Sequence, residues 1–481
     1  MGRKMTVLIL LGGLVLVLPP RNVNAAQITD VADAFDGDDV FDANVSVSFF
    51  QNYRWAKVTK EFYDTTLGIA DGRDLRITET GNHMVIDIEL GLYKDLSFNV
   101  SLPVSFTEKY GAKFADGVTA TNSELYSSWF VGDLGKQPFS SEHAMGIGDM
   151  HLGLKWAPFN CERHNEKWWP TWMLYYDVML PSGSPWDPSK DFYNRFTTSA
   201  KKTGIGVGSG NVEMTFGTAL SRRFKYFDPY MGFHYTLPIL TSRSKINGLV
   251  ARAMRNNEYY YESKSSTYMR DPDYDDDKYF GRMYDDNDPN KANADPYPSD
   301  YDVANDYPHG KPTGCDPRNP STCEWSDGQI KAMKDNILLP HHFGLVFGTE
   351  IIPWEVPDKH QKLAINLNLA AEMFTEGITL NELSDLLNRP TYCEQYTHFE
   401  GTFGISIQAA KYVRFNTSVT FGHDTQHFLT YADEASNRYK GPSGEDLPDA
   451  YFDKRLDSVG RRVRVAETFL FTWLVTGSVL F

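Results

Sequence analysis

Val465-Ala-Glu-Thr-Phe-Leu-Phe-Thr-Trp-Leu-Val-Thr-Gly-Ser-Val-Leu-Phe481 is the last stretch of the chain. Phe469, Phe471, Trp473, Val475, Gly477, Val479 and Phe481 sit at every second position. An extended strand sends successive side chains to opposite faces, so this spacing puts all seven on one face. A soluble sheet with so oily an edge strand would invite edge-to-edge aggregation. The same strand is at home in a closed sheet whose outside meets lipid and whose inside is polar.

The alternation recurs along the chain. Leu96, Phe98, Val100, Leu102, Val104 and Phe106 alternate with Ser97, Asn99, Ser101, Pro103 and Ser105; Trp172, Leu174, Tyr176, Val178 and Leu180, and then Leu363, Ile365, Leu367, Leu369 and Ala371, repeat the pattern. Counting such segments predicts twelve strands, at residues 44–55, 83–92, 96–106, 148–158, 171–180, 211–223, 229–240, 342–354, 362–374, 398–410, 414–423 and 465–481. Their links alternate short and long. The tight ones are 93–95, 225–228, 356–361 and 411–413, with 160–170 the longest of that set; the long ones are 62–82, 107–147, 181–210, 241–341, 376–397 and 424–464. Short turns at one end, long external loops at the other and an even strand count predict an all-β fold, a transmembrane antiparallel β-barrel in a Gram-negative outer membrane. Outer-membrane lipid is then one partner. The barrel-assembly machinery is another, meeting Phe469, Phe471, Trp473 and Phe481 of the last strand.

The start of the chain fits export. Arg3 and Lys4 precede a short apolar run, 7–18, and Val23-Asn24-Ala25 offers a cleavage site, so 1–25 reads as a signal peptide. Twelve apolar residues are short for a membrane-spanning helix, which needs about 20. Residues 26–43 then form a short periplasmic segment, too few for a folded plug domain, and 44–481 the barrel, with 241–341 as a long external insertion. Lys+Arg 47 against Asp+Glu 63 gives net charge −16, which excludes a nucleic-acid partner. A mean hydropathy of −0.43 excludes a helical membrane bundle.

Three glycine-bearing stretches carry a resemblance. They are Gly146-Ile-Gly148-Asp149-Met-His-Leu-Gly153-Leu-Lys155, Leu180-Pro181-Ser182-Gly183, and Gly208-Ser-Gly210-Asn-Val-Glu-Met-Thr-Phe-Gly217-Thr-Ala-Leu-Ser. They are similar to the outer-membrane barrel family named for the meta-pathway of phenol degradation. The likeness covers residues 91–223 and implies passage of aromatic or other hydrophobic compounds across the outer membrane. The glycines sit at strand entries, where loop and strand must approach closely. The 241–341 insertion departs from the family pattern.

The alternation also assigns an inward face. It carries Asp87, Glu89, Asp149, Asp177, Glu213, Glu350, Glu372 and Glu400, with Arg54, Lys155, Arg223, His151 and His234. Such an acidic set either lines a cation-preferring pore or pairs across strands in a packed interior. In the 241–341 insertion, the stretch 250–310 is acidic and holds ten of the 27 tyrosines. Asp271, Asp273, Asp275 and Asp277 form a carboxylate cluster of the kind that binds Ca²⁺, although Asp276 and Arg282 stand where an EF-hand loop needs Gly and Glu. No other cofactor is expected. Cys315 and Cys323 are spaced for a local disulfide in an exported protein. Cys161 and Cys393 fall at opposite ends of the barrel, which forbids pairing them. The adjacent His341 and His342 point to opposite faces of a strand and make a poor metal site. Trp168-Trp169 fits an interfacial girdle. Gly204, Gly206, Gly208 and Gly210 lead into a strand, not a helix, which excludes a dinucleotide fingerprint.

The expected role is a passive channel or uptake porin for small, hydrophobic or aromatic solutes. A structural or adhesive protein presenting the tyrosine-rich loop is the alternative. A barrel hydrolase is disfavoured, because no Gly-x-Ser-x-Gly elbow and no histidine-centred set stands out in the sequence.

Overall fold

The computed structural model describes residues 26–119 apart from 33, 37–38 and 65–67; then 139–160, 170–186, 206–246 apart from 245, 338–381, 391–430, 439–440, 446–447 and 462–481. The expected signal peptide 1–25, Cys161, Trp168-Trp169, the carboxylates Asp271, Asp273, Asp275 and Asp277, and the pair Cys315 and Cys323 lie outside the described residues.

Twelve strands build the wall: β1 (Ala43–Asp64), β2 (Gly68–Tyr93), β3 (Leu96–Phe114), β4 (Met150–Phe159), β5 (Thr171–Leu180), β6 (Val212–Ser221), β7 (Phe227–Ile239), β8 (His342–Val356), β9 (Gln361–Phe374), β10 (Tyr396–Ala410), β11 (Val413–Asp424) and β12 (Val463–Leu480). Each pairs antiparallel with the next, and β12 closes on β1 from Leu480↔Asn44 to Val463↔Lys60. No helix among the described residues is long and apolar enough to cross a membrane. The closed barrel can span a bilayer, because closure leaves no unpaired sheet edge in lipid.

The two faces have opposite chemistry. Outward side chains include Phe49, Ile88, Leu154, Phe216, Phe233, Leu345, Phe347, Leu367, Leu369, Phe403, Phe415, Phe421 and Trp473, all exposed. Inward neighbours such as Asn44, Ser46, Ser48, Ser97, Ser101, Ser406, Asn416, Thr472, Thr476 and Ser478 are buried and polar. Phe469, Phe471, Trp473 and Phe481 all lie on the outside, with Phe421 packing on Phe471 at 5.5 Å between centroids. The tight turns share one end. Lys94, Lys225 and His360 adopt φ of 45°, 54° and 51° there, the left-handed conformation a short hairpin link uses. Lys94, Lys225 and Lys411 each lie over an exposed tyrosine (Tyr93, Tyr226 and Tyr412), forming an aromatic girdle at the short-turn end.

The wall is not of even height. β1, β2 and β3 have 22, 26 and 19 residues, whereas β5 and β6 have 10 each. A membrane strand needs about 9–11 residues. The first hairpin thus runs far past the membrane at the long-loop end. The expected loop 62–82 is mostly strand, a correction to the sequence reading. So is the end of the 107–147 loop, where Phe139–Ile147 pairs with β3. Gly377–Thr379, Thr391–Cys393 and His427–Thr430 extend the sheet within two further expected loops. The cause is an inversion of polarity. Above the lipid, water lies outside, so Lys57 and Arg76 face out while Ala56, Val58, Leu75 and Ile77 face in. These inward residues pack with Tyr110, Phe374, Cys393, Tyr396, Leu429, Val463 and Val465 into an apolar core across the long-loop end.

The second correction concerns the N-terminal segment. The sequence places 26–43 outside the barrel as a short periplasmic piece. In the structure residues 26–32 lie inside it. Ala26 and Ile28 pack on Met173, Ala219, Tyr230 and Val346. Thr29 Oγ1 and Ser221 Oγ are 2.6 Å apart, the Ala32 amide donates to Glu89 Oε1 at 3.1 Å, and Asp30 lies 4.0 Å from Arg414. Gly232 makes room for it: a Cβ there would stand 3.1 Å from Ile28 Cδ1.

Candidate lumen site

The inward charges gather into two groups. The first occupies the long-loop half. Arg54, on β1, lies 3.3 Å from Asp424 Oδ2 and 3.8 Å from Glu79 Oε2. His398 bridges Asp424 Oδ1 (2.6 Å) and Glu400 Oε1 (2.9 Å) through its two ring nitrogens. The Asp424 amide donates to Thr468 Oγ1 at 2.6 Å. Glu372 faces His234 at 3.4 Å and His342 at 3.6 Å. Arg54, Glu79, His398 and Asp424 are all buried. Their register explains the convergence: His398↔Asp424 and Arg54↔Glu79 are direct cross-strand pairs, and β12 carries β11 round to β1.

The second group is spread over the inner face of β2 to β9. Glu89 accepts from Lys155 Nζ (3.2 Å) and Ser97 Oγ (2.7 Å) as well as from Ala32. Ser101 donates to Asp87. His151 Nδ1 lies 2.8 Å from Asp177 Oδ2. Glu350 is 3.5 Å from Lys362, and Tyr230 donates to Asn366 at 2.7 Å. Glu213 is buried on the inner face of β6. Glycines on neighbouring strands seat the rings of this interior. A Cβ at Gly217 would fall 2.1 Å from Tyr175, and one at Gly344 would fall 1.9 Å from His234.

Two of the expected inward residues do something else. Arg223 lies past the end of β6, in the tight turn, where its guanidinium pairs with Glu355 near the end of β8. Asp149 does not line the barrel. Its carboxylate accepts from the Gly183 amide (2.9 Å) and the Ser209 amide (2.6 Å), tying the end of the 107–147 loop to both ends of the 181–210 loop. Ser182 Oγ donates to the Gly148 carbonyl at 3.0 Å, and a Cβ at Gly183 would meet Gly208 Cα at 3.0 Å. The three glycine stretches singled out in the sequence are thus one knot, and glycine is used there because the backbones touch. Asp149→Ala removes both acceptors and is expected to cost about 2–3 kcal/mol. The check is proteolysis in the 183–210 segment, which speeds up in the variant and stays as in the parent chain in Asp116→Ala.

Several charged residues of these groups were absent from the sequence-derived set: Glu79, Lys362, His398, Arg414 and Asp424. Lys362, His398 and Arg414 keep the inward parity of their strands, so strict alternation finds them. Glu79 and Asp424 fell in expected loops. His342 and His341 do point apart, the first toward Glu372, the second to the Tyr235 hydroxyl at 2.6 Å. Cys393 is buried in the strand Thr391–Cys393 at the long-loop end, where its thiol donates to the Glu394 carbonyl at 3.4 Å. Among the described residues no group of three or more His, Cys, Asp or Glu side chains is arranged to hold a metal ion.

The chain matches no family model and no curated protein. Among solved structures it is similar to an outer-membrane channel from Pseudomonas putida F1, at 8% identity and a TM-score of 0.36 over 96% of this chain and 99% of that one. A FadL homologue from Pseudomonas aeruginosa gives 8% identity and 0.32 over 96% and 95%. The outer-membrane protease OmpT from Escherichia coli gives 6% and 0.27 over 92% and 98%. Likeness this low decides neither family nor activity, and the reading below rests on the barrel itself.

Proposed function

We propose that the protein is a passive channel of the Gram-negative outer membrane that admits small, hydrophobic or aromatic solutes. The observation that carries this reading is a closed barrel, oily outside and polar inside, stopped at its short-turn end by seven residues of its own N-terminus. A purely structural barrel has no use for a separable stopper held by three polar contacts and two small apolar side chains. The short-turn end is then periplasmic and the raised hairpin external. The apolar core at the external mouth offers greasy side chains to an aromatic solute, and the polar column below carries it onward. The phenol-pathway resemblance supports an aromatic substrate, and β12 is the strand the assembly machinery would engage. The acidic 250–310 stretch remains a candidate Ca²⁺ site and Cys315–Cys323 a candidate disulfide.

Planar bilayers test the reading. Reversal potentials in a KCl gradient should favour K⁺ over Cl⁻, since Asp87, Asp177, Glu350, Glu372 and Glu400 outnumber Lys155, Lys362 and Arg54 on the inner face. Liposomes holding the protein should take up a phenolic solute faster than empty ones. Anion preference would sink the acidic-lumen part, and equal solute entry with and without protein would sink the channel.

A further inference from the structure

We infer that the outer wall formed by β12, β1, β2 and β3 binds the phosphorylated headgroup of an outer-leaflet glycolipid. The inference rests on the outer-membrane placement proposed above and goes beyond it.

The four strands run side by side, and their register stacks outward side chains in rows. Val475, Phe49, Met84 and Val104 form an apolar row. Trp473–Gln51–Asn82–Thr107 comes next toward the long loops, then Phe471–Tyr53–Thr80–Lys109, then Phe469–Trp55–Thr78–Gly111. The row after that is Glu467–Lys57–Arg76–Lys113. The aromatics Phe469, Phe471, Tyr53 and Trp55 mark an interface girdle. One strand step of two residues, about 6.6 Å along a tilted strand, lifts the last row into the headgroup layer.

That row is cationic in a chain of net charge −16. Lys57, Arg76 and Lys113 of that row, with Lys109 two rows nearer the lipid on β3, face out around one acid, Glu467, which pairs with Lys57. Lys109 and Lys113 are exposed and make no ion pair among the described residues. Arg76 lies over Trp55 at 5.3 Å and Lys57 over the same ring at 5.6 Å, so the indole holds two cations beside each other at a cost in mutual repulsion. Arg76 Nε is buried with no hydrogen-bond partner. A guanidinium held among other cations suits a multivalent anion, and a phosphate can take two parallel N–H donors from it. Arg464 extends the patch along β12, donating to Thr59 Oγ1 at 3.2 Å. The occupant must combine acyl chains, to lie against Phe49, Met84 and Val104, with phosphates three to four rows higher. A phosphorylated lipid of the leaflet meets both needs; a free anion meets only the second.

The test uses the full chain in an alkyl maltoside, with bis-phosphorylated lipid A added and bound lipid counted by native mass spectrometry. Lipid A should stay on the protein. Arg76→Ala/Lys109→Ala/Lys113→Ala should lower its retention about a hundredfold, each cation contributing about fivefold. Dephosphorylated lipid A should fail to bind, and inorganic phosphate should not displace the lipid. Equal retention by the triple variant, or by the dephosphorylated lipid, overturns the inference, and displacement by inorganic phosphate reduces the patch to a free-anion site and overturns it too. Heat-modifiable electrophoretic mobility confirms that the variant folds; if it does not, the single changes Arg76→Gln and Lys113→Gln carry the same comparison. Insertion into phosphatidylethanolamine and phosphatidylglycerol vesicles separates the two readings. A chain that fails to insert contradicts the membrane placement, whereas one that inserts normally but ignores lipid A contradicts this inference alone.

Discussion

Removing residues 28–32 should raise the single-channel conductance of the protein severalfold. The deletion takes out Ile28 from its contact with Met173, Ala219, Tyr230 and Val346, and with it the Thr29, Asp30 and Ala32 contacts to Ser221, Arg414 and Glu89. The wall does not depend on those contacts. Each wall strand pairs with two neighbours, and Glu89 keeps Lys155 and Ser97. The opened path is polar and water enters it, since a site with several unmet polar partners wets readily. Residues 26–27 stay in place, which leaves the expected cleavage point after Ala25 intact. The measurement is conductance in planar bilayers, parent chain against deletion, with folding checked by heat-modifiable mobility. A folded deletion that conducts no better than the parent would mean that the apolar core at the external mouth, not the N-terminus, is the barrier.

Arg54→Leu should be the most damaging single substitution in the interior. Arg54 is 1% exposed and stands between Asp424 and Glu79, themselves 2% and 3% exposed. Without it two buried carboxylates lose the cation between them, and His398 offsets only the charge of Asp424. Breaking a buried ion pair by removing one partner costs about 3–5 kcal/mol, more than the pair contributes in net terms. In urea, the unfolding midpoint of the lipid-reconstituted protein should fall accordingly. Arg54→Leu combined with Glu79→Gln and Asp424→Asn should recover most of the loss, because the stranded charges are then gone. An unchanged midpoint for Arg54→Leu would show that water reaches this cluster and screens it.

The membrane-embedded part of the fold is legible in the sequence because lipid imposes a strict rule. Positions such as Leu363, Ile365, Leu367 and Leu369 must be oily where Ala364, Asn366 and Asn368 need not be. The twelve strands and the alternation of short and long links follow from that rule. Legibility fails where the solvent changes. Above the lipid, Ala56, Val58, Leu75 and Ile77 turn inward and Lys57 and Arg76 outward, so the alternation persists with its sign reversed and reads as loop. Glu79 was lost with that stretch. The stopper was missed for a different reason. Ala26, Ile28, Thr29 and Ala32 are small and unpatterned, and their place in the lumen follows from non-local fit to Gly232, Ser221 and Glu89, which no local spacing encodes. Asp149 was assigned by parity alone, whereas its role is set by the loop backbones of Gly183 and Ser209.

The membrane-spanning cylinder itself is tested most directly by spin labels placed one at a time at positions 363–371 of β9, on a chain whose own cysteines are replaced by serine. Labels at Leu363, Ile365, Leu367, Leu369 and Ala371 should relax strongly with lipid-dissolved oxygen, and those at Ala364, Asn366, Asn368 and Ala370 should not, giving a period of two. Strong relaxation by an aqueous nickel chelate at Leu367 and Leu369, with no alternation in oxygen access, would contradict it.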